Sequence, residues 1–192
     1  LLDEPFSNLD AALRSGVRDE VRALLKASGT TAIFVTHDQE EALFLGDRVG
    51  VMRAGQLEQI ATPEAIFHRP QTRFVAEFLG QTVFVPGQTT SAGIDSPLGS
   101  IARRLNLTAG TKVEIAVRPD DVTFTPDPSG SARVVARQFT GIAYVYRVAL
   151  ADGTVVPCWQ PHEVRVPEGT AVAPTFCREP AALPVFHHER PV

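Results

Sequence analysis

Several things are scarce in this chain, and each scarcity excludes a class. Only two cysteines occur, Cys158 and Cys177. They stand far apart, which suits a reducing compartment better than a disulfide framework. No apolar run approaches the roughly 18 residues that cross a bilayer, and no secretory signal pattern is present. Basic residues are outnumbered, 18 against 22 acidic, for a net charge of −4. Beyond residue 80 the one lysine is Lys112. Tyr144, Tyr146 and Trp159 offer faces on which bases could stack, but no basic groove accompanies them, so a nucleic-acid partner is not expected. Cys158, His162, Cys177, His187 and His188 are metal-binding types without the close-paired spacing of a structural zinc site. They read as reduced buried thiols and a solvated tail. Methionine is limited to Met52, and the chain opens on Leu1 as if inside a strand. Two apolar residues precede the first acids, where a strand averages about five or six. The expectation is the C-terminal part of a longer protein.

What is present is a soluble, core-forming composition, 44% hydrophobic, with a change of character near residue 80. Three of the fifteen prolines precede that point (Pro5, Pro63, Pro70), and the rest follow it. Helical spacing dominates before it and strand alternation after it. This predicts two domains, residues 1–80 and 87–192, joined around Gly80–Gly87.

The first domain opens on Leu1-Leu2-Asp3-Glu4-Pro5, a strand that ends on two acids. Alternation along a strand turns Asp3 and Glu4 in different directions. In open α/β sheets, ligands lie beyond the carboxyl ends of the strands. Asp10 opens a helix whose apolar stripe is Leu13, Val17, Val21, Leu24 and Leu25, with Gly29 as its end. Residues 31–36 read as a buried parallel strand. It runs into His37, and Asp38 with Glu41 forms a capping box for a helix through Leu45. Gln39, Glu40 and Glu41 read as a solvated first turn. Residues 48–52 and 57–60 form a hairpin. Thr62-Pro63 opens a helix to His68, and Phe74, Val75, Phe78 and Leu79 line a last one.

These motifs, in this order, resemble the C-terminal part of an ABC transporter ATP-binding subunit of the importer type. Leu1–Pro5 resembles the end of the Walker B motif. Ser7-Asn8-Leu9-Asp10 resembles the D-loop, with Asn8 where alanine is more usual. Val35–Gln39 resembles the switch loop with its histidine. Asp47–Val49, Gly55–Gln59 and Thr62–Glu64 match the stretch that follows in importer subunits. The resemblance implies an α/β nucleotide-binding fold and a set of roles. Asp3 would hold Mg²⁺, Glu4 would be the general base, and His37 would contact the γ-phosphate of ATP. Asp10 and Ser7 would serve nucleotide binding from the D-loop, Asp10 acting across a homodimer. The phosphate loop, the signature motif and the Q-loop, which lie upstream in the family, are absent here. The chain alone is therefore expected not to bind ATP tightly or hydrolyse it.

After Gly87 the pattern is short strands: residues 112–118, 133–139, 142–150, 154–156, 171–176 and 183–186, with a hairpin signal at Asp152-Gly153. The punctuation suggests a small OB-like Greek-key barrel. Val117-Arg118-Pro119-Asp120-Asp121-Val122, Ser96–Gly99 and Phe139–Gly141 resemble elements of the TOBE domain appended to importer ATPases. The whole reading is an ATPase subunit of a bacterial importer, of the ferric-iron, polyamine or oxyanion kind, on the cytoplasmic face of the inner membrane. Its partners would be membrane-spanning permease subunits, a second ATPase subunit and, indirectly, a periplasmic solute-binding protein. Two rivals stand beside it. One is a soluble ABC enzyme of DNA repair or translation, which the TOBE-like half argues against. The other is a regulatory ligand-binding module with an inert ATPase remnant.

Overall fold

The computed structural model describes residues 1–177 and 180–192. The chain separates into two compact units, Leu1–Phe67 and His68–Val192.

In the first unit, β1 (Leu2–Asp3) pairs in parallel with β2 (Phe34–Val35). Between them runs α1 (Ala11–Ser28). Asp10 is its N-cap, its carboxylate accepting from the Leu13 amide at 2.9 Å, which satisfies one of the orphan donors of the first turn. Gly29 ends the helix in the left-handed conformation at φ 64°, as a C-terminal glycine can without a Cβ penalty. Then come α2 (Gln39–Leu45), the hairpin β3 (Val49–Arg53) and β4 (Gln56–Ala61), and α3 (Pro63–His68).

Two expectations need correction here. The strand predicted over residues 31–36 is only Phe34–Val35, and it is not buried: Ile33 and Val35 are at least half exposed. Its strand partner among the described residues is two residues long, so no wider sheet forms, and only Phe34 is half-covered. The broad α/β sheet expected of residues 1–80 is accordingly not displayed, and the chain as a whole is mainly β. The apolar stripe of α1 exists in sequence, but Leu13 and Leu24 on it are exposed.

The second unit begins with α4 (Arg73–Phe78), capped by Thr72. Six strands form one sheet: β5 (Val83–Thr89), β6 (Ile94–Ser96), β7 (Gly99–Ile101), β8 (Lys112–Val117), β14 (Val185–His187) and β15 (Arg190–Pro191), in the order β15-β14-β8-β5-β6-β7. Ala76 of α4 packs with Ala116 and Phe186 of this sheet. The Arg73 guanidinium lies 4.0 Å over the Phe84 ring and bonds Glu114 at 3.1 Å. The other sheet holds β9 (Val122–Pro126), β10 (Ala132–Phe139), β11 (Ala143–Ala149), β12 (Val155–Pro161) and β13 (Ala171–Phe176), in the order β12-β11-β10-β13-β9. Strands β10, β11 and β12 follow one another as neighbours, and β13 returns beside β10. That is the Greek-key order. The Trp159 amide donates to Pro119 O at 2.8 Å and the Gln160 side chain to Phe124 O at 3.1 Å, so β12 is drawn toward β9 and the five strands curl as an OB-like barrel.

One apolar core serves both sheets, including Val85, Ile94, Ile115, Val117, Val148, Val156 and Val172. Tyr146 lies fully inside it, edge-on to Phe124. Its hydroxyl donates to Val164 O at 2.8 Å and accepts from the Val166 amide at 2.9 Å. Cys158 is buried there too, and burial pushes its thiol up to about 12. Cys177, expected buried, is instead exposed, with its thiol against Asp120 O.

Candidate functional site

Two of the residues singled out for chemistry, Glu4 and His37, meet at the carboxyl ends of β1 and β2. Register sets this. Leu2 lies beside Phe34 and Asp3 beside Val35. The Glu4 amide continues the ladder to Val35 O at 2.8 Å. Glu4 then leaves the strand with φ at 44°, a left-handed conformation that an L-residue adopts only when its surroundings hold it. The turn that follows does so. Glu4 O accepts from both the amide and the hydroxyl of Ser7, at 3.2 and 3.0 Å. Phe6 is buried and stacks near Phe34.

On the neighbouring strand, Thr36 and Asp38 fix the bend at His37. The Asp38 carboxylate caps α2 through the Glu40 and Glu41 amides at 2.9 and 3.1 Å. The predicted capping box forms only in part. Glu41 does not reach back to Asp38. It is buried, at 4% exposure, and accepts from the Thr36 hydroxyl at 2.8 Å. That hydroxyl in turn accepts from the Asp38 amide at 3.0 Å. The solvated reading of Glu41 is thus wrong, because a carboxylate that finds a hydroxyl under the turn can leave water.

The result is a direct contact between strand ends: His37 Nδ1 lies 2.8 Å from Glu4 Oε1. The hydrogen bond to Glu4 and its negative charge raise the His37 pKa above its ordinary value of 6.5, with Asp38 and Glu41 adding to the effect. A protonated imidazole donates from both ring nitrogens, one toward Glu4 and the other outward. Both side chains are largely exposed.

The remaining candidates are placed differently. Asp3 is exposed at the strand end, with no side-chain hydrogen bond among the described residues. Ser7 is spent on the local turn and Asp10 on capping α1. No group of three or more His, Cys, Asp or Glu that could hold a metal occurs among the described residues. A single carboxylate such as Asp3 nevertheless fits Mg²⁺, which commonly takes one or two carboxylates and completes its shell with waters and substrate phosphates. Two contributions were not legible in the sequence, the buried contact of Glu41 with Thr36 and the placement of Arg14. Arg14 Nη2 donates to Leu9 O at 2.9 Å, and its Nη1 stands 3.8 Å from the Asp38 carboxylate.

Comparison with known proteins bears on the family rather than on these side chains. A TOBE domain model matches residues 115–183. A spermidine/putrescine import ATP-binding protein, PotA 1 of Pseudomonas aeruginosa, is 39% identical over 184 residues, covering 89% of this chain and 48% of that protein. An Fe(3+) ions import ATP-binding protein, FbpC 1 of Rhodococcus jostii, is 42% identical over 158 residues, covering 81% and 45%. A sn-glycerol-3-phosphate import ATP-binding protein, UgpC 1 of Rhizobium johnstonii, is 37% identical, covering 84% and 49%. Over most of its length the chain is similar to the C-terminal portion of ABC importer ATP-binding subunits, and residues 115–183 match their TOBE domain. It spans about half the length of the curated relatives it matches. No helix among the described residues is long and apolar enough to cross a membrane.

Proposed function

We propose that this chain provides the hydrolytic strand ends and the β-domain of the ATPase subunit of a bacterial importer. The observation that carries this is the 2.8 Å contact between Glu4 and His37 at the ends of adjacent parallel strands. ATP hydrolysis demands mostly positioning and charge stabilisation. Glu4 is the general base that orients the attacking water and receives its proton. His37, held by Glu4 and favoured in its protonated form, points donor capacity at the γ-phosphate. Asp3 would be the carboxylate that holds Mg²⁺, which would supply neutralisation of charge on the phosphate oxygens. Ser7 and Asp10 shape the turn that faces a second subunit, which links the two nucleotide sites of a homodimer. Residues 1–80 are then part of the α/β nucleotide-binding domain and residues 87–192 its regulatory β-domain. Permease subunits at the inner membrane's cytoplasmic face receive the motion, and a periplasmic solute-binding protein acts through them.

The test uses the full-length subunit. Glu4→Gln should abolish turnover while ATP-induced dimerisation persists, read by phosphate release and by light scattering. Normal turnover in that variant removes Glu4 from the base's role. The 192-residue chain alone, lacking a phosphate loop, should show no magnesium-dependent phosphate release in the same assay.

A further inference from the structure

Arg14 sits in the first turns of α1, yet its side chain does not extend into solvent as a helix-surface arginine ordinarily would. It turns back over the helix N-terminus. Nη2 donates to Leu9 O at 2.9 Å, and Nη1 lies 3.8 Å from Asp38 Oδ2. This placement buries Nε without a hydrogen-bond partner among the described residues, a cost that an arginine serving α1 alone would not incur. The two groups it bridges belong to the two halves of the site. Leu9 immediately precedes Asp10 in the turn that follows Glu4. Asp38 immediately follows His37 and is held in place by α2, through its other carboxylate oxygen and the Glu40 and Glu41 amides.

We propose that Arg14 is a positioning residue that couples the Ser7–Asp10 turn to His37. The inference rests on the function proposed above, in which Asp10 faces the second subunit and His37 faces the γ-phosphate. When docking of the second subunit shifts the turn, Leu9 O carries the guanidinium with it. The Asp38 carboxylate follows, and His37 moves relative to Glu4. The planar fork of arginine matters here, since one nitrogen bonds the Leu9 carbonyl while another stands within ion-pair range of the Asp38 carboxylate, an arrangement a lysine ammonium reproduces poorly.

The experiment measures ATP turnover of the full-length dimeric subunit. Arg14→Met keeps the apolar stem and removes the bridge. It should lower kcat by about tenfold while the KM for ATP stays within about twofold, the signature of lost transition-state positioning. Asp38→Asn keeps the helix cap but removes the charge, and should lower kcat by a comparable factor. The double variant should be no slower than the slower single one, because the two residues act through one link. Arg14→Lys should recover part of the loss. An unchanged kcat in Arg14→Met, or losses that multiply in the double variant, would overturn the proposal. Glu4→Gln run in parallel separates two failures. If it is inactive and Arg14→Met is normal, only the coupling is wrong; if it turns over normally, the reading of the site fails and the coupling with it.

Discussion

Glu4 and His37 meet because one strand ends on an acid in a left-handed turn and its neighbour ends on a histidine held between Thr36 and Asp38. That pairing has a consequence in pH. The His37 pKa is raised by the Glu4 bond, so the pair's contribution to stability is fully present below about 6.5 and is lost as pH rises through the higher folded value. Both groups are exposed, and salt screens such pairs. A ¹H–¹⁵N titration of the His37 ring should therefore give a pKa above 6.5 that falls on Glu4→Gln and drops partway in high salt. An unshifted ring in the wild-type chain would break the assignment. At this scale the sequence was half readable. Acids and a histidine at predicted strand ends were visible as residue types at a spacing. Glu41 and Arg14 were not, because each is defined by where its side chain goes. Glu41 lies under the turn and Arg14 lies back across the helix start, and neither destination leaves a periodic trace. Cys177 shows the converse: a thiol type that is usually buried is exposed where β13 ends.

Among the elements, strands whose side chains face one core were legible and those defined by pairing alone were not. Val113, Ile115 and Val117 alternate in sequence and all three are buried in β8. Ser96–Gly99, which resembles an element of the TOBE domain, joins β6 to β7 as a hairpin turn. Strand β5 went unseen because Pro86 and Gly87 look like a break. It persists because Pro86 lies opposite Glu114 of β8, while β6 pairs only Gln88 and Thr89, leaving the proline's other flank open, the position in a sheet where proline is tolerated. Residues 31–36 erred the other way. Their β-branched run lacks the neighbours that would have extended it. The barrel offers a sharper test of what holds its elements. The Tyr146 hydroxyl links β11 to the segment at Val164–Val166, bonding both the carbonyl and the amide there. Tyr146→Phe keeps the ring and its edge contact with Phe124 but leaves the buried Val166 amide and the Val164 carbonyl without that partner. The expected cost is about 1–3 kcal/mol, measured by urea unfolding followed through Trp159, the only tryptophan. A change under roughly 0.5 kcal/mol, the range of ordinary surface substitutions, would show that the segment is held by other means.

At the scale of the molecule, the two units differ in how much apolar surface they enclose. Among the described residues of the first unit, the buried apolar side chains are Phe6, Val49, Val51 and Ile66, while Leu1, Leu2, Leu13, Leu24, Ile33 and Phe44 remain exposed. The second unit buries a continuous cluster that runs through both of its sheets. Burial is the main favourable term in folding, roughly 25 cal/mol per Å² of apolar surface, and it must offset a chain entropy of about 1–2 kcal/mol per residue in both units alike. The first unit therefore has the smaller margin. Its helix α1, with 18 residues, is long enough to dominate the far-ultraviolet signal, whereas Trp159 reports only the second unit. Thermal or urea unfolding of the 192-residue chain should give two transitions that do not coincide. The 222 nm signal should fall first, and Trp159 fluorescence should follow. A fragment of residues 68–192 should retain the second transition at the same midpoint. Superimposable curves from the two probes, or a fragment whose midpoint collapses, would show that the units are stabilised together and that the exposed apolar side chains of the first are no measure of its stability.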